Sequence, residues 1–363
     1  MEPERVRVEA GERIYDVYVG AGLLDRLDDF LRGEFRRGVL VADCNVGPLY
    51  APPASRCLQR AGIPLCYFEV PAGESSKSLQ AAADLLEFML ESGLERGDLV
   101  VALGGGVVGD LAGFAASVYK RGCPILQVPT TLMSQVDSSI GGKTGVNLPS
   151  AKNMVGTFHH PVAVVADVAV LSTLPRREYL SGLAEVAKYR FLEPGSFAGP
   201  LEEMASLLSL HEPEALGRVV KACAGIKARV VGADPYDTGG RAVLNYGHTL
   251  GHALEAATGY GKYTHGEAVS VGMVYAALVS ERMGLAEAGL ASRHRRALLE
   301  MGLPCAPLEE HRFGDLLESM RHDKKRRGET VMVLLEEEGR PHLVGGVGEE
   351  VLESAYRALV SGE

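Results

Sequence analysis

Up to about residue 170 the apolar positions of the chain recur with the short periods of β-strands. Residues 4–20 alternate apolar and polar, first at Val6 and Val8, then at Ile14, Val17 and Val19, as two short half-buried strands would. Val39–Ala42, Pro64–Val70, Asp98–Leu103, Pro124–Val128 and Val162–Ala166 read as further strands, and Leu79–Leu90 and Val107–Val118 as helices between them. From Leu174 the period lengthens to 3.6. Helices are predicted over about 175–190, 213–231, 241–257, 266–283 and 286–300, with breaks at Pro194, Pro213, Pro235, Gly261 and Pro304. A late stretch, 330–347, alternates around a Glu-Gly-Arg turn and predicts a small hairpin. The pattern divides the chain into an α/β domain, 1–172, and a mostly α-helical domain, 173–363.

Composition agrees with that division. A chain of 363 residues exceeds the size at which one hydrophobic core usually keeps growing, and a hydrophobic fraction of 46% is ample for burial. Six cysteines are scattered without a C-x-x-C pair, which argues against a disulfide framework or a thiolate zinc site and fits a reducing cytoplasm. The first fifteen residues are charged from the second onward and carry no apolar core of a secretory signal. The longest uncharged apolar run, Ala268–Ser280, is too short to span a bilayer and reads as a buried helix. The net charge of −10 disfavours a nucleic-acid or anionic-membrane surface, so basic contacts to an anionic ligand must be gathered locally.

Candidate chemistry concentrates in Arg241–Val269. His248 and His252 are spaced four apart in a helix-forming context, so their imidazoles share a face. His265, with Glu267 beside it, opens the next apolar run after a Gly-rich turn. Singly, each histidine is an ordinary solvated or core residue; together, with Gly247, Gly251 and Gly266 clearing space, they read as a metal site. In the α/β half, Gly104, Gly106 and Gly109 match G-x-G-x-x-G between a strand and a helix. The motif follows several strands rather than the first, no acid lies about twenty residues on, and close strand–helix packing competes as the explanation. Asp43 and Asn45 end a strand, as ligand contacts or as a turn cap. Gly73–Lys77 is either a nucleotide-wrapping loop or a segment in which Ser75 or Ser76 caps the next helix. Thr130, Thr131, Asp137, Lys143, Lys152 and Asn153 surround a Gly-Gly turn, as in a phosphate cradle or a solvated loop. Glu185 and Lys188 share a helix face, ordinarily an exposed ion pair. Lys227, Arg241 and Asn245 lie on otherwise apolar helices, and Asp323, Lys324 and Lys325 form a late charged cluster.

Taken in order, GGGVVGD, PTTLMSQVDSSIGGKTGVN, GLAEVAKY, NYGHTLGHALE, HGEAV and DKK resemble the 3-dehydroquinate synthase family over nearly the whole chain. The resemblance implies a Rossmann-like NAD-binding half, a helical metal-binding half, a homodimer, a cytoplasmic location and one divalent metal, zinc most often and cobalt as an alternative. It assigns the metal to Glu185, His248 and His265, and makes His252 a substrate contact. NAD contacts map to Asp43, Asn45, Gly73, Glu74, Ser75, Ser76, Lys77, Gly105, Gly106, Val107, Val108, Gly109, Asp110, Thr130, Thr131, Ser172 and Thr173, with Lys143 and Lys152 where cofactor and substrate meet. Asp137, Asn153, Lys188, Lys227, Arg241, Asn245 and Lys324 or Lys325 map to the substrate, and Arg121 to a contact across the dimer. The implied reaction takes 3-deoxy-D-arabino-heptulosonate 7-phosphate to 3-dehydroquinate and phosphate, in the shikimate pathway. It proceeds by transient oxidation, phosphate elimination, re-reduction, ring opening and aldol closure. Another sugar phosphate cyclase, making an amino-dehydroquinate, 2-deoxy-scyllo-inosose or a valiolone, is the nearest alternative; an iron-type polyol dehydrogenase and a nucleotide-binding regulatory module are more distant ones. Arg190, Tyr246 and Ala72 depart from the family pattern.

Overall fold

Strands covered on both faces need near-continuous apolar sequence, and four have it: β3 (Gly38–Asp43), β5 (Leu99–Gly104), β6 (Ile125–Pro129) and β9 (Ala163–Asp167) are almost wholly buried. They belong to a seven-stranded sheet, ordered β1-β2-β9-β6-β5-β3-β4, in a computed structural model that describes residues 2–149, 151–197, 212–322 and 331–362. Only β1 (Glu4–Ala10) is antiparallel to its neighbour, β2 (Arg13–Gly20); β4 is Leu65–Val70. Side chains alternate across the sheet as a pleat requires. Leu40, Ala42, Val101 and Leu103 join one core with the helix Gly47–Arg60 and the turn Leu24–Phe30. Val39, Val41, Val100 and Ala102 join another under the helices Leu79–Glu91 and Gly106–Val118. From β3 the chain steps outward to β4 and returns to β5 on the other side, so the strand order reverses between β3 and β5. Ligands of open α/β sheets bind outside the carboxyl ends of the strands at such a point.

The chain divides into two compact units, 1–174 with 213–236, and 175–212 with 237–363. The sequence reading places the helix Pro213–Ala233 in the second domain. Its contacts place it in the first: it lies on β1 and β2, whose buried Val8, Ala10, Val17 and Val19 need a cover. The second unit is built around the helix His265–Arg282, apolar on all sides and buried from Ala268 to Ser280. Against it pack the helices Arg176–Leu192, His248–Ala257, Leu290–Glu300 and Glu349–Ser361, and the strand Met332–Leu335, which pairs with Pro341–Val344 as the predicted hairpin. Among the described residues no helix is long and apolar enough to cross a membrane.

Other expectations change in detail. The predicted helix 241–257 is two elements, a 3-10 turn Gly240–Asn245 and the helix His248–Ala257, divided at Gly247, whose φ of +80° lies in the left-handed region. Ser78, not Ser75 or Ser76, caps the helix after it, accepting from the Ala81 N–H. The stretch after Thr131 folds as a π-turn, Ser134–Ser138, and a hairpin of β7 (Lys143–Leu148) with β8 (Ala151–Phe158).

One buried histidine gives the second unit a pH dependence. His294 is inaccessible, stacked on Phe191 with ring centroids 3.7 Å apart. Its Nδ1–H donates to the Leu290 carbonyl and its Nε2 accepts from the Tyr246 hydroxyl, each at 3.0 Å. Burial pushes its pKa down to about 3 from the ordinary 6.5, so the folded chain keeps it neutral where the unfolded chain takes a proton. Stability is therefore lost as pH falls below about 6.5, by about 2 kcal/mol at pH ~5. Urea unfolding should show this loss, and His294→Phe should flatten it; equal slopes in both proteins would refute the assignment.

Candidate active site

At the end of β3, Asp43 Oδ1 accepts the N–H groups of Asn45 and Val46 at 2.8 and 3.1 Å, which turns the chain into the helix Gly47–Arg60. β5 ends at Gly104 and the next helix starts from Gly105, which offers its first N–H groups no side-chain cap. Those donors point out at the strand-order reversal, as an anion-binding helix start requires. The glycines also have a packing reason: a Cβ on Gly104 would sit 2.6 Å from Val108, and one on Gly109 2.9 Å from the Gln127 amide oxygen. Both readings of G-x-G-x-x-G thus describe the same residues.

Beside this turn, Lys77 is 5% exposed and its ammonium donates to Asp110 Oδ2 and Asn153 Oδ1. Burial raises the Asp110 pKa while the Lys77 charge pulls it back. The Asn153 N–H donates to Asn147 at 2.8 Å, and Asn147 donates to Glu74 at 2.7 Å, so the hairpin is tied to the Gly73–Lys77 segment. Lys227, from the helix on β1 and β2, reaches Asp137, donating to its backbone oxygen at 2.7 Å and its Oδ1 at 2.8 Å. Thr131 exchanges hydrogen bonds with Ser134, Thr130 is buried, and Ser172 and Thr173 close their own turn, Thr173 also meeting the Tyr50 hydroxyl at 2.7 Å. Lys143 and Arg121 are exposed, Arg121 with a left-handed φ of +67°.

The second unit gathers the histidines. Glu185 and Lys188, one turn apart on Arg176–Leu192, form an ion pair that is almost fully buried, at 1% and 2% side-chain exposure. Opposite the carboxylate stand His248 Nε2 and His265 Nε2, 3.7 and 3.6 Å from Glu185 Oε1. The three donor atoms lie within 4.8 Å of one another. Ligand atoms on a tetrahedral zinc at about 2.0–2.1 Å stand roughly 3.3 Å apart, so this set fits a divalent ion after small inward shifts. Close helix contacts create the geometry. A Cβ on Gly266 would lie 2.1 Å from the Ser181 carbonyl oxygen, and one on Gly272 1.8 Å from that of Gly247. These approaches bring His265 against the helix of Glu185, and His248 against that of His265.

Electrostatics differ between the two imidazoles. Burial, then the Lys188 charge, holds His248 well below the usual histidine range. Burial acts the same way on His265, but the Glu185 and Glu255 carboxylates outweigh it and push its pKa up to about 10. The cluster attracts positive charge. His252 stands beside both, its ring centroid 5.4 Å from that of His248 and 6.0 Å from that of His265. Arg241 is buried in the preceding 3-10 turn and Asn245 is exposed at its end, so the break at Gly247 removes them from the helix face that carries His248 and His252. Glu267 closes a capping box with Thr264 and pairs with Arg177, and belongs to neither group of donor atoms placed to share an ion among the described residues. Arg190 pairs with Glu338 at 3.2 Å. Lys324 and Lys325 lie outside the described residues.

The comparisons with known proteins agree with this chemistry. Residues 67–181 match the family model described as 3-dehydroquinate synthase N-terminal, and 182–326 the one described as C-terminal. The chain belongs to the 3-dehydroquinate synthase family. A 3-dehydroquinate synthase of Symbiobacterium thermophilum is 50% identical over 88% of this chain and 90% of its own length. Among solved structures, a 2-deoxy-scyllo-inosose synthase complexed with carbaglucose-6-phosphate, NAD+ and Co2+ is similar at a TM-score of 0.90 and 28% identity, covering 98% of this chain and 99% of its own. The 2-epi-5-epi-valiolone synthase of Streptomyces hygroscopicus subsp. jinggangensis 5008, with NAD+ and Zn2+ bound, follows at 0.87 and 28%, over 99% and 100%. Identity is thus much higher to a 3-dehydroquinate synthase than to these other cyclases.

Sequence reading missed Glu255, seven residues after His248 on the same helix and 3.2 Å from His265 Nδ1. An acid three residues beyond His252 was the available signal. The tight glycine contacts carry a test: Gly272→Ala must displace the Gly247 carbonyl and, with it, His248. We expect a stability loss of roughly 1–3 kcal/mol together with weaker metal binding. Gly217→Ala, on a helix where a Cβ meets nothing within 4 Å, should show neither in thermal denaturation and metal titration.

Proposed function

We propose that Glu185, His248 and His265 hold one divalent ion, zinc or cobalt, in an NAD-dependent enzyme that converts 3-deoxy-D-arabino-heptulosonate 7-phosphate to 3-dehydroquinate and phosphate. The observation that carries this reading is the buried carboxylate facing two imidazole nitrogens, in a chain of this family. One carboxylate and two imidazoles leave coordination positions for substrate oxygens, as a catalytic rather than a structural site needs. When bound, the ion would supply Lewis-acid polarisation of substrate hydroxyls, and NAD would supply a reversible hydride acceptor.

The chain's own residues bind and orient. The uncapped helix start after Gly105 and the buried Lys77–Asp110 pair serve the cofactor, with Asp43, Asn45, Thr130, Thr131, Ser172 and Thr173 around it. Lys227, held by Asp137, and Arg241 bring buried cationic groups to a substrate that carries a carboxylate and a phosphate. Lys143, Lys152, Asn153, Asn245 and His252 complete its polar contacts, and Lys188 pairs with Glu185. Fixing one flexible intermediate through successive steps is chiefly positioning, worth up to about 7–11 kcal/mol when well oriented. Few side chains then need act as strong acids or bases. A homodimer with Arg121 reaching the neighbouring site, and a cytoplasmic location, complete the reading.

Phosphate should be released from the heptulosonate phosphate without net NADH, stop when a chelator is added, and resume with zinc or cobalt. Stoichiometric NADH from a simple alcohol would instead indicate a dehydrogenase. His248→Ala should lose bound metal and activity together, whereas Arg241→Ala should weaken substrate binding and leave NAD binding intact by calorimetry.

A further inference from the structure

We propose that Glu255 is a positioning residue for the metal: its carboxylate accepts the Nδ1–H of His265 and fixes that ring with Nε2 turned toward Glu185. The inference rests on the ligand set Glu185, His248 and His265 proposed above. Its geometry is independent of that set's chemistry. Glu255 Oε2 lies 3.2 Å from His265 Nδ1, while the other nitrogen of the same ring lies 3.6 Å from Glu185 Oε1. A histidine that ligates an ion does so as a neutral imidazole with one N–H, so a carboxylate accepting at Nδ1 leaves the lone pair at Nε2, on the side of the ligand set. His248 is set the same way by a different group: its Nδ1 lies 3.0 Å from the Tyr246 backbone oxygen, which leaves its Nε2 toward Glu185.

The two orienting groups are not equivalent. A carbonyl fixes a tautomer; a carboxylate fixes it and also makes the imidazole a stronger donor to an ion. Glu255 is 7% exposed, and a carboxylate is withdrawn from water only where a partner offsets the loss of hydration. It stands on the face of His248–Ala257 that carries His248 and His252, so one rigid helix supplies a ligand and the orienting group of another ligand. Glu255, His252 and His265 also offer one donor atom each within 4.8 Å of one another, and the His265 nitrogen that meets Glu255 is Nδ1. Serving ions through both nitrogens at once would strip the ring of both protons. The Nε2 side is the one we assign, because there Glu185 and the second imidazole converge in the buried interior.

The test compares Glu255→Gln, Glu255→Ala and His248→Ala with the unaltered protein. Zinc affinity is measured by chelator competition, the visible spectrum is taken with cobalt in place of zinc, ions per chain are counted, and NAD binding checks the fold. Glu255→Ala should bind zinc about 10–100-fold more weakly with an altered cobalt spectrum. Glu255→Gln, which keeps an accepting oxygen but not the charge, should fall between, and both should bind NAD normally and hold the same number of ions as the parent. If Glu255→Ala lost none of its zinc affinity and kept its cobalt spectrum while His248→Ala lost the metal, the ligand set would stand and the role of Glu255 would fall. Two ions per parent chain, one of them absent from Glu255→Ala, would make Glu255 a ligand and overturn the proposal. Metal retained by His248→Ala would overturn the ligand set itself.

Discussion

A carboxylate at 1% exposure is the constraint on which the second unit depends. Glu185 and Lys188 are taken out of water together, on a helix whose neighbouring positions are almost all buried. Ion pairs in such places gain little or nothing in stability over apolar residues of the same shape, so their presence argues for a task. The surroundings are consistent with that. Ser181, one turn before Glu185, meets Gly266 backbone to backbone, and its hydroxyl accepts the Gly266 N–H at 3.0 Å. Only a glycine allows that approach, and the approach delivers His265, its immediate neighbour in sequence.

The first unit resolves its buried charges differently. Lys77 with Asp110 and Lys227 with Asp137 each bring one residue from a helix or turn to a partner far along the chain, at the side of the sheet where the strand order reverses. Both lysines are buried and both aspartates are partly exposed, at 22% and 26% of their side chains. The cations are thereby fixed in direction before any ligand arrives, which reduces the entropy a ligand must remove on binding.

Much of this was legible in the sequence because it rests on local periodicity. The strands, most helices and the late hairpin follow from apolar spacing, and the family's motifs mark Glu185, His248 and His265. What was not legible depended on contacts. The helix Gly47–Arg60 is not among the predicted elements; it forms around Pro52 and Pro53, residues that disfavour a helix interior. The division at Gly247 follows from its left-handed φ, which spacing does not reveal, and it places Arg241 and Asn245 in a different element from His248 and His252 where spacing predicts one helix over 241–257. Glu267, two residues after His265, reads as part of the metal-site cluster and is a helix cap, whereas Glu255, ten residues before His265, touches it. Sequence distance and spatial distance diverge most where helices cross at glycine.

The helix Pro213–Ala233 has a consequence for synthesis. The chain leaves the first unit at residue 174, returns for 213–236, and leaves again, so the first unit is not a continuous stretch of sequence. A ribosome delivers the sheet early, but the cover for β1 and β2, and the Lys227 that binds Asp137, emerge only after the segment 175–212. Domains usually complete themselves in the order in which they are made. Here the nascent sheet must wait with one apolar flank uncovered while part of the other unit is translated, which exposes it to chaperones during that interval.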